Sequence, residues 1–479
     1  MSAVPASPAA SRPRRRTQIF LASTLYGAAT LAAALDAECF APAGRRLLLV
    51  TNNAATPETT PPLDAAPGFE RLRDRFDRVV SWNEAISPYH PGGWAPRPGD
   101  VPLWERHLRL LWALGDDEVE LVVESIQVRP ALALVQLFPD APVDVYADGL
   151  MSYGPTRNRL DPLVGTRVRR LLHLDLVPGL RPLLLDEFDV ERRIVPAEAF
   201  LSVLDALAAA PDGFASAEPP GEEAPALLLG QYLSALDILD VEEEEELHLA
   251  MVRGAAALGH RRIVFKPHPT APAHWSRRLA EEAAGLGVEL VVLEAPVLAE
   301  ALYRRMRPAL VVGCFSTALL TARTLFGLPT ARTGTGLLLE RLTPYENGNR
   351  APVTIVDALL PDLAGDRDLL ADPATAGTAG REPAEVRLGE LLDAVGYAMQ
   401  PLLRPDLRPA AERYLKEHPE AVVRRYFKRR RLTALALPGG GTRRRLPIPG
   451  EAVLRRAARF ARRRLTRASR AGAKPVTSG

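Results

Sequence analysis

Residues 142–154 read PVDVYADGLMSYG, and the fold follows from this stretch and its counterparts elsewhere in the chain. The run Val143–Ala147 is short and rich in β-branched and aromatic residues, which is typical of a strand. It ends in Asp148 and Gly149, so a carboxylate leaves the strand at its carboxyl end, where the glycine allows close approach. Asp148 is a candidate general base toward a sugar hydroxyl. The alternative is that Asp148 and Gly149 only form a turn.

Similar apolar runs recur along the chain and alternate with amphipathic stretches. The predicted strands are Ile19–Ala22, Leu47–Thr51, Arg78–Trp82, Val119–Ser125, Val143–Ala147, Leu171–Leu176, Ala226–Gln231, Arg262–Lys266, Val288–Leu293 and Leu310–Cys314. The predicted helices include Leu103–Leu114, Pro130–Phe138, Glu242–Leu258, His274–Gly285, Leu298–Arg305 and Ala318–Phe326. We interpret the acidic run at 242–246 as a first helical turn, where carboxylates complement the helix dipole. Continuous apolar strands separated by helices predict an α/β fold with parallel sheets covered on both faces.

The chain has 479 residues, which is too long for one small core, and it divides at a polar, Pro/Glu/Ala-rich stretch. We predict a disordered basic N-terminus at 1–16, Rossmann-like units at 17–210 and 226–420, a linker at 211–225 and a basic helical tail at 421–479. Two doubly wound units would place a ligand crevice between the facing carboxyl ends of their strands. The apolar run after Arg16 resembles a signal anchor, but we favour a strand, a cap at Ser23 or Thr24, and a helix.

The formal charge of +2 hides a strong division of charge. Residues 421–479 contain 18 Lys/Arg and one acid, while the rest of the chain is acidic. Residues 451–467 predict a cationic amphipathic helix, which would bind an anionic membrane surface at about 1 kcal/mol for each basic residue. A solvated tail is the alternative, and nucleic acid is not the expected partner. With only two cysteines, the chain is expected to be cytoplasmic and peripheral at the inner face of the membrane.

A second motif, IVFKPHP at residues 263–269, again follows a predicted strand. Pro267 and Pro269 restrict the backbone on either side of His268, so the imidazole is held in a defined, extended position. There it could bind a phosphate and stabilise it as a leaving group. Lys266 is the only lysine in the first 415 residues, which makes it a candidate nucleotide contact. The alternative is a histidine that is satisfied within a loop.

A third motif, GCFST at residues 313–317, lies between a predicted strand and a predicted helix. Ser316 and Thr317 would therefore lie at a helix N-terminus, where hydroxyls and free N–H groups favour an anion. Ordinary helix capping is the alternative and is compatible with phosphate binding. Gly313 and Glu294, each at the end of a strand, are weaker candidates for contact with the nucleotide. No metal-ligand pattern is present in the sequence, and no metal or other cofactor is expected.

Taken together, these motifs resemble those of the bacterial sialyltransferases and alpha-2,8-polysialyltransferases, which have the GT-B fold. The matching residues are Ala147-Asp148-Gly149, His268-Pro269 and Ser316-Thr317, and residues 149–153 also look like the polysialyltransferase version. The resemblance implies an inverting, metal-independent transfer of sialic acid from CMP-sialic acid to a glycan or glycolipid acceptor. A role in surface polysaccharide synthesis, such as capsule synthesis, would follow.

By resemblance, Asp148 would deprotonate the acceptor, while His268, Ser316 and Thr317 would hold the donor phosphate. Ala147 departs from the family, which has an acidic residue at this position, and in some relatives that acid is the base. Two other functions therefore stay open. One is a CDP-polyol phosphotransferase of the teichoic-acid type, which shares the fold and the His-Pro motif. The other is a catalytically inactive relative that binds a nucleotide.

Overall fold

The computed structural model describes residues 14–147, 149–209, 224–268, 274–293, 295, 297–366, 370 and 381–441. The first strand, β1 (Arg16–Ala22), shows why its last four residues are all apolar. Ile19 and Leu21 pack into one hydrophobic cluster, while Phe20 and Ala22 pack into another on the opposite face. Because both faces are covered, β1 can be central only in a sheet that lies between two layers of helices.

Six further strands complete the first sheet. They are β2 (Arg45–Val50), β3 (Arg78–Ser81), β4 (Glu118–Val123), β5 (Val143–Tyr146), β6 (Val168–Leu174) and β7 (Glu191–Val195). All pairings are parallel, and the order is β3-β2-β1-β4-β5-β6-β7. The direction of winding reverses between β1 and β4, so a ligand crevice opens beyond the carboxyl ends of these strands.

The second sheet has five parallel strands with the same type of winding. They are β8 (Ala226–Leu229), β9 (Arg262–Lys266), β10 (Glu289–Val292), β11 (Leu310–Gly313) and β12 (Thr330–Arg332). Their order is β10-β9-β8-β11-β12, and the direction reverses between β8 and β11. The prediction of two doubly wound parallel sheets is confirmed. Each predicted strand is present, with ends shifted by at most three residues, whereas β7 and β12 were not predicted.

Helices cover both sheets. Those of the first unit are α1 (Leu25–Asp36), α2 (Glu70–Arg73), α3 (Trp82–Ala85), α4 (Val101–Leu111), α5 (Ala131–Leu137), α6 (Pro162–Gly165) and α7 (Ala197–Ala208). Those that follow are α8 (Val241–Ala257), α9 (His274–Gly285), α10 (Ala299–Met306), α11 (Thr317–Phe326), α12 (Thr335–Arg341), α13 (Arg350–Leu359), α14 (Arg381–Met399), α15 (Arg408–Glu417), α16 (Glu420–Tyr426) and α17 (Arg429–Leu435). No helix in the described part of the chain is long and apolar enough to cross a membrane.

The N-terminal apolar run forms a strand, a turn and a helix, as predicted. The hydroxyl of Thr24 accepts a hydrogen bond of 3.0 Å from the N–H of Gly27 and caps α1. The predicted boundary at residue 16 is wrong by two residues, however. Arg16 is already part of β1, and the guanidinium of Arg15 pairs with Asp117 at 2.9 Å. The ion pair and the backbone pairing order these two residues; residues 1–13 lie outside the described part of the chain.

The two units are not separate bodies, because their helices share one hydrophobic cluster. Helix α7 of the first unit packs on both α1 and α10, and Arg304 of α10 pairs with Asp205 of α7 at 2.6 Å. Near its C-terminus the chain returns to the first unit, where the buried Arg404 pairs with Asp186 at 2.7 Å. The predicted unit at 226–420 therefore packs on the first unit through α10 and again near residue 404, whereas the predicted linker at 211–225 is described only at 224 and 225.

The first part of the predicted basic tail is instead folded onto the second unit. Val423, Tyr426 and Phe427, which lie within the predicted basic tail, are buried in the common core. The ammonium group of Lys428 donates to the carbonyls of Glu340 and Leu342 at 2.8 and 3.0 Å. The boundary at 421 is therefore wrong, because apolar packing extends the body to about residue 437. The predicted amphipathic helix at 451–467 lies outside the described residues.

Asp357 of α13 is the acid that holds α16 in place. Its fully buried carboxylate accepts hydrogen bonds from Arg425 at 2.5 Å, Thr335 at 2.7 Å and Tyr426 at 3.0 Å. Burial alone would raise the pKa of Asp357, but the bonds from Arg425 and Thr335 and the charge of Arg332 outweigh it, so the pKa is lowered. Each of these groups depends on the others, since an unpaired charge in this position would be costly.

We expect the substitution Arg425→Gln to lower the free energy of unfolding by about 2 kcal/mol, because it removes charge-assisted bonds to a buried carboxylate. The neighbouring Arg424→Gln is the matched control, since Arg424 is exposed and its ion pair is with the exposed Glu420. Its effect should stay within about 0.5 kcal/mol. Urea unfolding followed by circular dichroism measures both. Equal effects would contradict the assignment of α16 to the folded body.

Candidate functional site

The first motif begins where β5 ends. Ala147 is buried, and its N–H donates a hydrogen bond of 2.8 Å to the carbonyl of Leu172, which continues the sheet by one residue. Asp148, the predicted base, lies outside the described residues, but both of its neighbours are placed. Gly149 has a φ of +141°, a conformation that residues with a side chain rarely adopt. The turn after the strand therefore requires glycine at this position.

The first and third motifs meet directly across the crevice. The N–H of Leu150 donates a hydrogen bond of 3.3 Å to the hydroxyl of Thr317, although the two residues belong to different units. A Cβ atom on Gly149 would lie 2.9 Å from Cγ2 of Thr317 and closer still to its hydroxyl oxygen. The absence of a side chain at Gly149 thus allows the end of β5 to approach the N-terminus of α11.

The third motif forms the predicted turn into α11. Ser316 caps the helix, and its hydroxyl accepts a hydrogen bond of 3.3 Å from the N–H of Ala318. The N–H of Phe315 donates to the side chain of Gln231 at 2.8 Å, which joins this turn to the loop after β8. Gly313 ends β11, and its carbonyl accepts from Thr333 at 3.0 Å. Hydroxyls at a helix N-terminus favour an anion in the crevice.

The second motif follows β9, which is separated from β11 only by β8 in the sheet. His268 lies beside Tyr232, with 6.3 Å between the ring centroids. Although His268 as a whole is exposed, the surrounding protein removes enough water from the ring to lower its pKa, and the charge of Lys266 lowers that pKa further. The imidazole is therefore neutral at pH 7 and has one N–H to donate.

Lys266 interacts electrostatically with a buried acid that the sequence did not reveal. Glu300 is 3% exposed near the start of α10. Burial raises its pKa to about 7, against the opposing effects of its own N–H and of Lys266. Burial also lowers the pKa of Lys266, and Glu300 opposes that shift. The expected role of Lys266 as a nucleotide contact remains a prediction, and the structure adds its influence on His268.

The loop after β8 was also missed as a part of the site. Glu244, from the acidic run interpreted as a first helical turn, is fully buried. Its carboxylate accepts hydrogen bonds from the N–H groups of Leu233 and Ser234 at 2.6 and 2.8 Å. This holds the loop that presents Gln231 and Tyr232 between the second and third motifs. The capping interpretation applies to Glu243, which forms a capping box with Asp240, so only the pattern of burial distinguishes Glu244 from its neighbours.

A second buried acid lies at the crevice of the first unit. Glu124 follows β4, and its two carboxylate oxygens accept hydrogen bonds from the N–H of Ser23 at 2.7 Å and from the hydroxyl of Tyr146 at 3.0 Å. These bonds fasten the loops after β1 and β4 to β5. Since both oxygens are engaged, Glu124 acts as a brace for the strand that carries the first motif. The sequence offered no signal for it beyond a polar residue at a strand end.

Some predicted site residues cannot be compared with the structure, because Pro269 and Glu294 lie outside the described residues, as does Asp148. A cavity of about 510 Å³ lies at the opposite edge of the first sheet, between the amino ends of its strands and the ion pair of Arg109 with Glu105. It is thus remote from the three motifs. Within the described part of the chain, no three His, Cys, Asp or Glu side chains converge as a metal site would require.

Residues 18–335, which include all three motifs, match the sequence model of the alpha-2,8-polysialyltransferase family. The chain belongs to this family. It is therefore a glycosyltransferase, which uses a nucleotide-sugar donor and a glycan acceptor. The predicted family and reaction class are confirmed. No curated protein matches the chain in sequence.

Solved structures resemble this polysialyltransferase-family chain at low sequence identity. The GT-B domain of a sialyltransferase from Photobacterium damselae is 12% identical, covers 71% of this chain and 96% of its own, and has a TM-score of 0.36. A UDP-GlcNAc 2-epimerase from Methanocaldococcus jannaschii is 14% identical over 77% and 94%, with a TM-score of 0.45. An O-GlcNAc transferase variant from Thermobaculum terrenum is 16% identical over 88% and 70%, with a TM-score of 0.35.

We expect Gly149→Ala to destabilise this polysialyltransferase-family protein by about 2–4 kcal/mol, through backbone strain and a clash with Thr317. Gly179→Ala is the matched control, because Gly179 has a φ of +80° but no atom within 4 Å of a Cβ at that position. The control should cost only about 1–2 kcal/mol of strain. Denaturant unfolding measures both variants. If the two costs were equal, the close contact between the units at Thr317 would be refuted.

Proposed function

We propose that this glycosyltransferase transfers sialic acid from CMP-sialic acid to a hydroxyl of a glycan acceptor, with inversion and without a metal ion. The observation that carries the proposal is the hydrogen bond between the Leu150 N–H and the Thr317 hydroxyl. It brings the segment that follows β5, on the carboxyl side of Asp148, against a helix N-terminus that is suited to bind a phosphate. Membership of the alpha-2,8-polysialyltransferase family supports the choice of donor.

Asp148 is the general base in this mechanism. Its carboxylate takes the proton of the acceptor hydroxyl as the oxygen attacks the anomeric carbon of the donor sugar. The bond from that carbon to the phosphate oxygen breaks, and CMP leaves with the electron pair. Because the displacement is a single step, the configuration at the anomeric carbon inverts. The family has an acid where this chain has Ala147, so the role falls to the next residue, Asp148.

His268, Ser316 and Thr317 stabilise the departing phosphate. The lowered pKa of His268 keeps its ring neutral, and a neutral ring offers an N–H to a phosphate oxygen without a proton having to be bound first. Thr317 accepts a hydrogen bond from Leu150, which leaves its own hydroxyl hydrogen to donate. Donors held in place before the reaction stabilise charge that develops on the leaving group, which is the role a metal ion would otherwise serve.

Other residues of the crevice are proposed contacts of the nucleotide. Lys266 and Pro269, which flank the His268 motif in sequence, would contact the nucleotide. The space beside Gly149 is filled by Thr317, and that beside Gly313 faces Leu319 and Leu229. Glu294 would contact the ribose or the base of the nucleotide. Tyr232, whose ring lies beside His268, adds an aromatic face at the same edge of the second sheet.

The acceptor is part of a surface polysaccharide or glycolipid, and the enzyme works on it at the inner face of the membrane. Residues 442–479 hold 12 Lys/Arg and one acid, so this shortened basic tail retains most of the positive charge that suggested a membrane contact. Anionic lipid would attract it by about 1 kcal/mol for each basic residue near the surface.

The substitution His268→Ala should lower kcat for CMP release from CMP-sialic acid by about 10²- to 10⁴-fold, because stabilisation of the leaving group is lost. His260→Ala is the control, since His260 precedes β9 whereas His268 follows it. The assay is run with excess EDTA, so that a metal-dependent enzyme would show no turnover.

The donor distinguishes the open alternatives. Release of CMP from CMP-sialic acid by the wild type, with none from CDP-glycerol, supports the proposal. Turnover of CDP-glycerol alone would instead indicate a polyol phosphotransferase. Binding of CMP without turnover of either donor, with no change on Asp148→Asn, would indicate an inactive relative.

We also expect the full-length protein to sediment with vesicles that contain anionic lipid and to be released by high salt, because screening weakens the attraction of the basic tail. A chain truncated after Gly441 should stay in the supernatant and keep its CMP release, since the described body ends there. Vesicles of neutral lipid are the control. If the full-length protein did not bind anionic vesicles at low salt, the membrane proposal would be wrong.

A further inference from the structure

A small cavity lies next to the first motif, on the side of the first unit. Its volume is about 140 Å³, and its lining includes Gln127, Ala147, Arg157 and, from the second unit, Gly348. Pockets that enclose a whole small ligand usually exceed about 300 Å³, so this cavity suits one functional group of a larger ligand. Because Ala147 directly precedes the proposed base, a group bound here would belong to a molecule that reaches the reaction centre.

The backbone of Arg157 is held from both sides. Its N–H donates to the side-chain oxygen of Gln127 at 2.5 Å, and the same oxygen accepts from Asn158 at 3.1 Å. Its carbonyl accepts a hydrogen bond of 2.7 Å from the side chain of Gln400, which lies beyond α14. Arg157 is therefore positioned by two residues that come from distant parts of the chain. Such support is typical of a side chain whose location matters for binding.

The side chain of Arg157 occupies the space that a side chain at residue 348 would need. A Cβ atom at Gly348 would be 2.9 Å from both Nε and Nη1 of Arg157 and closer still to its Cδ. Only glycine leaves this space free. The guanidinium is consequently held at the cavity by contacts on one face, while its N–H groups are left for other partners.

Arg157 is half-buried, and within the described part of the chain its guanidinium has neither a carboxylate at ion-pair distance nor a hydrogen-bond acceptor. Two other arginines near this region, one buried and one half-buried, are paired with acids. Arg404 contacts Asp186 and Asp406, and Arg431 contacts Glu346, the acid two residues before Gly348. A half-buried cation that faces a cavity without a counter-ion favours an anionic ligand.

We propose that Arg157 determines acceptor specificity by binding a carboxylate of the acceptor glycan. The bound carboxylate would anchor the sugar whose hydroxyl is attacked. The planar guanidinium matches the two oxygens of a carboxylate, which favours this group over others. The inference rests on the proposed function for the identity of the reaction, but the binding of an acidic sugar to Arg157 can be measured without turnover.

The test compares a trisaccharide that ends in sialic acid with its methyl ester, in which the carboxylate is neutral. By calorimetric titration the wild type should bind the acid about 10- to 100-fold more tightly than the ester. Arg157→Gln should abolish this preference, and Gly348→Ala should weaken it by displacing the arginine. Arg159→Gln, which removes an exposed charge two residues away, is the control and should keep the preference.

Steady-state kinetics distinguish an effect on acceptor binding from an effect on donor binding. Arg157→Gln should raise KM for the acidic acceptor by about 10- to 100-fold, while KM for CMP-sialic acid stays close to that of the wild type. A rise in KM for the donor alone would overturn the proposal, as would equal binding of acid and ester, or of neither, by the wild type. If the wild type bound the acid through Arg157 but released no CMP, the proposed function would fail and this inference would stand.

Discussion

The close approach of Gly149 and Leu150 to Thr317 is the contact on which the candidate site depends. It joins the carboxyl end of a strand in one unit to the amino end of a helix in the other, with only the side chain of Thr317 between the two backbones. A parallel sheet places its polar residues at one edge, but it does not bring two sheets into register. The contact between the ends of the two sheets is possible because Gly149 has a φ of +141° and no Cβ atom.

The surroundings of this contact are held by buried polar side chains that bond to backbone N–H groups. Glu124 holds the start of the loop after β1, and Glu244 holds the loop after β8. The half-buried Gln127 and Gln400 hold the backbone of Arg157, since Gln127 accepts from its N–H and Gln400 donates to its carbonyl. A buried carboxylate or amide is stable only if its bonds are made, so each of these groups favours one conformation of its loop. The crevice is thereby shaped before any substrate binds.

The chain consists of a folded body and a basic C-terminal tail, and these two parts carry opposite net charge. The helices at 420–435 direct their basic groups toward acids and carbonyls of the body, with Asp357 as the buried centre of that network. The surplus of positive charge therefore belongs to residues 442–479. The near-neutral total is the sum of an acidic, folded glycosyltransferase and a basic C-terminal segment.

Local patterns were sufficient for the strands, for the doubly wound class of both sheets, and for the motifs at 147–149, 268 and 316–317, because strand periodicity and turn chemistry act over a few residues. They were insufficient for Glu300, Glu244 and Arg157, whose environments are created by residues far away in the chain. A glutamate inside an acidic run and an arginine in an Arg-rich chain look ordinary until burial and partners are known. Burial and partners are determined only in the folded chain, because solvent exclusion and the pairing of charges depend on distances that no local sequence pattern contains.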